Sequence, residues 1–221
     1  MVRYPFLFLK GTKTPVLTPI TEGSTFAADA STPEDFTSFI QDNYPGLTAN
    51  DTEALLEHYP EQPSLPQHNA WYPSASSAYG ESTFICPNNR IINATAGAGL
   101  QNETWAYRYN VWDHEHEEAG IGVEHTFDRP AILGPDNVNY AAKSYYTYNA
   151  PVVPLVMNYY ISFVRTLDPN LLRLEGAPEW GNWEGGERLV IELGETRMET
   201  VDDGERERCA FWEGVAGRME H

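Results

Sequence analysis

The sequence has few basic side chains. Lysine and arginine together number 14 in 221 residues, whereas aspartate and glutamate number 32, so the formal net charge is −18 at pH 7. Proteins that bind nucleic acid or anionic membrane surfaces present basic patches to the phosphates, and this balance argues against both kinds of partner. The hydrophobic fraction of 41% and the aromatic fraction of 13% are those of an ordinary globular protein, so we expect a folded core.

Long hydrophobic runs are also missing. The longest apolar stretches, residues 5–9 and 150–157, fall well short of the roughly 18 residues that a membrane-spanning helix needs. The first is also too short for the apolar core of a signal peptide. Three Asn-x-Thr glycosylation sequences nevertheless occur, at Asn50, Asn93 and Asn102, and such sites are modified only in proteins that enter the secretory route. We therefore expect a secreted glycoprotein without a membrane span, whose signal peptide is not in this chain.

Several motifs that define enzyme classes are absent. The glycines form neither a phosphate-binding loop nor a dinucleotide fingerprint. The nucleophile elbow Gly-x-Ser-x-Gly begins once, at residues 80–82, and is broken by Thr83 and Phe84. Cysteine is scarce, and neither Cys86 nor Cys209 has an adjacent His or Lys to activate its thiol, so both are weak nucleophile candidates. The two cysteines are compatible with one disulfide or with two buried thiols.

Histidines and carboxylates supply the candidate acid and base groups. Residues 114–118, His-Glu-His-Glu-Glu, suggest zinc or manganese, but the spacing His-Glu-x-x-His is absent and a solvated acidic loop is simpler, so we assign no metal and no cofactor. His125 follows a glycine-containing turn and precedes Asp128, which makes it a candidate general base, although structural histidines are common. Glu22 follows a predicted strand, where a carboxylate either orients a histidine or simply lies exposed in a turn.

Hydrophobic periodicity, capping residues and prolines predict an α/β protein. The predicted strands are residues 15–20, 105–112 and 188–193. The predicted helices are residues 33–44, capped by Thr32, a second helix capped by Asn50 and ending at Tyr59, and residues 84–93, 152–167 and 205–219. The predicted loops include residues 60–79, which are rich in Pro, Ser and Ala, and residues 113–128, which are acidic and contain glycine.

Five short segments, in order along the chain, resemble one family. Thr21-Glu22-Gly23-Ser24 with Phe26 resembles the Asp-Glu-Gly-Thr/Ser-x-Phe segment of the type B carboxylesterases, the family of fungal lipases and esterases and of the cholinesterases. Gly122 to Gly134 is similar to the segment around the catalytic histidine of that family. The other three segments resemble the Phe-x-Cys-Pro helix, the helix ending in Asp-Pro-Asn and the terminal Arg-Cys-x-Phe-Trp helix, at residues 84–87, 158–170 and 208–212.

The resemblance implies the C-terminal part of an α/β-hydrolase fold, with helices packed on a few strands of a mostly parallel sheet. Residues 1–221 are then a single part of a carboxylesterase domain, incomplete by itself. The resemblance also implies that Glu22 is the acid and His125 the base of a Ser-Glu-His triad. In cholinesterase-like members the cysteines corresponding to Cys86 and Cys209 form a disulfide. The family places the nucleophile elbow and the oxyanion loop before the acid, so both are expected upstream of Met1.

Two functional interpretations follow from the resemblance. In the first, the chain is part of a serine carboxylic-ester hydrolase and supplies its acid and base. When completed it acts on a small-molecule carboxylic ester, and the isolated chain is inactive because it contains no nucleophile elbow. In the second, it is a non-catalytic, cholinesterase-like binding or adhesion module. The presence of both Glu22 and His125 favours the first interpretation, because a binding module has no physical need for either side chain.

Overall fold

The structure, a computed structural model, describes residues 14–19 and 22–219. These residues form four β-strands, eight α-helices and several short π- and 3-10-helical segments. The strands are β1 (Thr14–Pro19), β2 (Thr104–Tyr109), β3 (Glu187–Ile191) and β4 (Arg197–Thr200). The α-helices are α1 (Pro33–Asn43), α2 (Ala49–His58), α3 (Tyr72–Gly80), α4 (Cys86–Thr95), α5 (His114–Glu118), α6 (Arg129–Leu133), α7 (Val152–Thr166) and α8 (Asp203–Met219).

The chain divides into two compact units, each assembled from three separate segments. Of the described residues, the first unit comprises 14–17, 90–111 and 128–200. The second unit comprises the described residues within 18–89, 112–127 and 201–219. The two cysteines and both candidate triad residues belong to the second unit.

The first unit contains a small mixed sheet, in which the strand order is β1-β2-β3-β4. Strand β2 runs parallel to β3, with Tyr107 opposite Leu189, and β3 runs antiparallel to β4, with Leu189 opposite Met198. The indole of Trp180 packs edge-on against Tyr107 and Tyr159, each at 5.5 Å between ring centroids, and its N–H donates to the backbone oxygen of Ala106 at 2.8 Å. These contacts satisfy the buried indole N–H. The mixed sheet together with the helices confirms the predicted α/β class.

The second unit packs helices α1, α2, α3 and α8 around one hydrophobic core. Thr32 and Thr48 begin the first two helices with capping boxes, in which each threonine hydroxyl accepts from the amide three residues later, at Asp35 or Asp51, and that aspartate accepts from the threonine amide. Both caps close helix N-termini that would otherwise leave amides without partners. The core consists of Ala30, Phe36, Ile40, Leu47, Leu55, Tyr59, Ala75, Ala78, Cys86, Trp212 and Val215.

Three predictions of secondary structure need correction. The second helix is capped by Thr48, not Asn50. Residues 60–79 are not all loop, because α3 begins at Tyr72. The buried face of α3 consists of small residues such as Ser74, Ala75 and Ala78, and serine and alanine next to proline suggest a loop in the sequence. Residues 113–128 include the short helix α5, since the Asp113 side chain accepts from the amides of the first helical turn.

The remaining predicted elements occur near their expected positions. The strand predicted at residues 105–112 is β2, and the strand at 188–193 is β3, which ends at Ile191. Residue 20, the predicted end of the first strand, lies outside the described residues, as does Thr21. Among the helices that the structure describes, none is both long and apolar enough to cross a membrane.

A disulfide and a buried ion pair join α8 to the segment around α4 in the second unit. Cys86 and Cys209 are bonded, with their Cα atoms 5.1 Å apart, as the family resemblance implies. The guanidinium of Arg208 donates two hydrogen bonds to the carboxylate of Glu81, at 2.7 and 2.8 Å. The hydroxyl of Tyr59 donates to Glu81 at 2.6 Å and accepts from the indole of Trp212 at 2.6 Å. The buried carboxylate is therefore compensated by charge and by hydrogen bonds.

We expect Arg208→Met to lower the free energy of unfolding by about 3 kcal/mol, because it leaves the Glu81 carboxylate buried without its cation. Urea unfolding of the wild type and the variant measures this loss. The double variant Glu81→Met with Arg208→Met is the control, since it removes both charges and should recover part of the stability. A double variant less stable than Arg208→Met alone contradicts this account.

A second ion pair makes stability depend on acid pH. The hydrogen bond from Arg218 lowers the pKa of Asp51 from 3.8 to about 2. A carboxyl whose folded-state pKa is depressed stabilises the fold above its unfolded pKa and loses that contribution as the pH falls toward the folded value. Between about pH 4 and pH 2, Asp51→Asn should therefore lose less stability than the wild type.

Urea unfolding at a series of pH values measures this difference. Asp42→Asn is the matched control, because Asp42 is an exposed carboxylate on α1. It should leave the acid dependence unchanged. Parallel acid dependences for Asp51→Asn and the wild type would contradict the assigned role of the Asp51 and Arg218 pair.

Candidate active site

Glu22 lies in a tight turn after β1. The amides of Phe26 and Ala27 both donate to the backbone oxygen of Gly23, at 3.0 and 2.8 Å, which folds the turn back on itself. The hydroxyl of Tyr72, in the first turn of α3, donates to the backbone oxygen of Ser24 at 2.9 Å. The Glu22 side chain is 8% exposed, so its position is set by this anchored backbone and not by solvent.

His125 lies on the segment that follows α5. The amide of Phe127 donates to the backbone oxygen of Glu124 at 3.1 Å, which closes a turn around His125. Thr126 has a φ of 68°, in the left-handed region that β-branched residues rarely adopt. Backbone strain of this kind persists only where the surrounding structure holds it, and it clusters at functional sites. The turn therefore fixes the direction in which the His125 ring leaves the backbone.

Glu22 and His125 meet although 103 positions separate them in the sequence. The Oε2 atom of Glu22 contacts the Nδ1 atom of His125. A carboxylate at this position favours the tautomer with its proton on Nδ1, so that Nδ1–H donates to Glu22 and Nε2 becomes the acceptor. The His125 side chain is 34% exposed while its carboxylate partner is nearly buried, an arrangement that suits a general base.

Two aromatic side chains flank the imidazole of His125. The ring of Phe26 approaches it edge-on at 5.5 Å between centroids, and the ring of Phe84 lies 4.9 Å away. Phe84 belongs to the π-helical segment Glu81–Ile85, which continues directly from α3. Both residues occur in the segments that resemble the carboxylesterases, but sequence reasoning did not predict their contacts with His125.

The other histidines of the acidic segment do not form a metal site. The Nε2 atom of His116 lies 3.6 Å from the Oε1 atom of Glu124, and its ring packs against Phe127 at 4.9 Å. In residues 14–19 and 22–219, no group of three or more His, Cys, Asp or Glu side chains is placed to hold a metal ion. The neighbouring acid Asp128, which belongs to the first unit, accepts a hydrogen bond from the hydroxyl of Tyr107 at 2.8 Å.

The three predicted glycosylation residues have exposed side chains. Asn50 lies in the first turn of α2, Asn93 in α4 and Asn102 in a short 3-10 segment before β2. The side-chain oxygen of Asn93 accepts a hydrogen bond from the indole of Trp183 at 3.0 Å. Glycosylation of these residues remains a prediction.

Comparison with known proteins identifies relatives of this chain. Residues 15–212 match the sequence profile of the carboxylesterase family. The chain is 25% identical to secreted lipase 4 of Gibberella zeae over 192 residues, which cover 82% of this chain and 32% of the lipase. Its structure is similar to the crystal structure of Aspergillus niger EstA, with a TM-score of 0.90 and 41% sequence identity, covering 94% of this chain and 40% of EstA.

The chain thus spans about a third of the length of the lipase and two-fifths of the EstA chain. The small mixed sheet with its helices corresponds to part of an α/β-hydrolase fold. The family match covers both the Glu22 turn and the terminal helix with Cys209. We conclude that the chain belongs to the carboxylesterase family.

Proposed function

We propose that this chain supplies the acid and the base of a serine carboxylic-ester hydrolase. The observation that carries the proposal is the contact between Glu22 and Nδ1 of His125, two residues brought together from distant parts of the sequence. Membership of the carboxylesterase family supports ester hydrolysis as the reaction. In this proposal residues 1–221 are one part of a carboxylesterase domain, and a serine from the remainder of that domain is the nucleophile.

His125 is the general base of the proposed reaction. Its Nε2 atom takes the proton of the attacking serine hydroxyl while the serine oxygen bonds to the ester carbonyl carbon, and the resulting imidazolium gives that proton to the departing alkoxide. In the second half of the reaction, His125 takes a proton from the water that attacks the acyl-enzyme, and it returns that proton to the serine oxygen as the acid product leaves. Glu22 stays ionised throughout, holds the proton on Nδ1 and stabilises the positive ring by charge.

The isolated chain is proposed to be an inefficient esterase. Its 221 residues contain no Gly-x-Ser-x-Gly sequence, so a histidine and a carboxylate are present without the serine that they activate. The proposed substrate of the completed domain is a small-molecule carboxylic ester. Secretion is proposed as well, supported by the similarity to a secreted lipase and by the three Asn-x-Thr sequences.

Hydrolysis of a p-nitrophenyl ester tests both parts of the proposal. We expect the purified chain alone to show no hydrolysis that depends on His125. We expect a chimera, in which this chain replaces the matching region of Aspergillus niger EstA, to hydrolyse the ester and to lose this activity on His125→Ala.

The two arms of this experiment fail in different ways. Hydrolysis by the isolated chain that disappears on His125→Ala would show that the chain is active by itself. A chimera with activity that survives His125→Ala would show that His125 is not the base. His58→Ala is the matched control, because His58 lies at the end of α2 and packs its ring on Phe211.

A further inference from the structure

The turn that carries Glu22 packs directly on the last residue of α3, backbone against backbone. Gly23 of the turn and Gly80 of the helix face each other at this contact. A β-carbon on Gly80 would lie 2.8 Å from the backbone nitrogen of Gly23 and 3.7 Å from the carbonyl carbon of Glu22. A β-carbon on Gly23 would lie 2.7 Å from the nitrogen of Gly80 and would overlap the backbone oxygen of Ser76. Neither position accommodates a side chain unless the facing backbone moves.

The end of α3 cannot easily yield, because the segment that follows it is held on several sides. Glu81, the next residue, accepts two hydrogen bonds from Arg208 and one from Tyr59. The hydroxyl of Tyr44 bonds to the Thr83 hydroxyl at 2.8 Å. The disulfide at Cys86 fixes the segment once more, five residues after Glu81. A clash at Gly80 therefore falls on the peptide that joins Glu22 to Gly23.

We infer that Gly80 is a positioning residue for the acid Glu22, and that its missing side chain sets how closely the Glu22 carboxylate approaches His125. This inference rests on the proposed function, since it assigns a role to Gly80 through the Glu22 and His125 pair. A methyl group on Gly80 displaces the peptide that joins Glu22 to Gly23 by several tenths of an ångström. The carboxylate moves with that peptide, whereas His125 is carried by a different segment of the chain.

The Nδ1 proton of His125 reports this distance in the chain as it exists. A proton that a histidine donates to a carboxylate resonates far downfield in the NMR spectrum, and its position depends on the length of the hydrogen bond. We expect a downfield signal in the wild-type chain that is absent from His125→Ala and from Glu22→Gln. In Gly80→Ala the same signal should move upfield while the protein remains folded.

Gly214→Ala is the matched control. Gly214 is a helical glycine of the same unit, in α8. Apart from its two chain neighbours and the backbone of its own helix, no atom of the residues that the structure describes lies within 4 Å of the position of its β-carbon. Alanine favours helix at both positions, so helix propensity cannot explain a difference between the two variants. We expect Gly214→Ala to keep the wild-type signal.

The outcomes separate this inference from the proposed function. A wild-type chain without a downfield signal that depends on Glu22 overturns the Glu22 and His125 pair, and the role of Gly80 with it. A wild-type signal that is unchanged in folded Gly80→Ala overturns the positioning role alone. In the chimera with EstA, the expected accompanying result is a fall in kcat of about 10- to 100-fold for Gly80→Ala with KM unchanged.

If Gly80→Ala does not fold, a second variant tests whether α3 holds the Glu22 turn in position. Tyr72→Phe removes the hydroxyl that holds the backbone oxygen of Ser24 to α3, without adding bulk. The expected result is an upfield shift or broadening of the His125 signal. A sharp signal at the wild-type position in folded Tyr72→Phe shows that α3 does not hold Glu22 in place, and it overturns the inference.

Discussion

Glu22→Gln is expected to lower kcat of the completed esterase by about 10⁴. The amide keeps the size of the side chain but removes its negative charge. Glutamine can also present an N–H to Nδ1, which favours the tautomer with the proton on Nε2, and this tautomer cannot accept the proton of a serine. The loss therefore has two causes, the wrong tautomer and an imidazolium without a counter-charge.

The chimera with Aspergillus niger EstA permits this measurement with a p-nitrophenyl ester. KM should change little, because in the proposed reaction Glu22 acts on His125 and not on bound substrate. Glu124→Gln is the matched control, since Glu124 precedes His125 in the chain and its carboxylate lies near His116. An equal loss of kcat in Glu22→Gln and Glu124→Gln shows a general charge effect and contradicts a specific role for Glu22.

Loss of the disulfide is expected to lower the free energy of unfolding of the chain by about 5 kcal/mol in the chain-entropy model. Cys86 and Cys209 are 123 residues apart, and the cross-link removes the freedom of this long loop from the unfolded chain. Many domains are stable by only about 5 to 15 kcal/mol, so the double variant Cys86→Ala with Cys209→Ala should be close to unfolding at 37 °C.

Urea unfolding of the double variant and of the wild type measures this loss. The wild type with added reductant is the control, because it opens the same bond without changing the side-chain volumes at Cys86 and Cys209. Alkylation with iodoacetamide followed by mass measurement confirms the starting state. We expect no adduct before reduction and two after it, and an adduct in the unreduced wild type would show free thiols and refute the bond.

Much of the site can be predicted from the sequence because it consists of short segments. The residues next to Glu22 and to His125 resemble the carboxylesterase segments, and this was enough to propose the pair before the structure brought them together. Their contact itself does not follow from hydrophobic periodicity, which reports only local structure. Likewise, the resemblance of residues 84–87 and 208–212 to carboxylesterase segments implies the disulfide between the two cysteines.

The parts that could not be predicted depend on contacts between distant residues. The sequence predicts loop where most of helix α3 lies, because serine, alanine and proline weaken the helical pattern, although Ser74 and Ala78 are buried. Strand β4 is short and charged, and Glu199 is held by two guanidinium groups, those of Arg108 on β2 and Arg188 on the adjacent strand β3. Such stabilisation comes from pairing partners and leaves little trace in the local sequence.

The division of the second unit into three segments has a consequence for its synthesis. Leu55 and Tyr59 are synthesised before their core partners Trp212 and Val215, which are in helix α8, and more than a hundred residues are made in between. At typical synthesis rates of about 5 to 20 residues per second, the apolar faces of α1 and α2 lack their packing partner α8 for a time on the order of ten seconds. We expect chaperones to bind nascent chains that end before α8 and to dissociate from chains that include it.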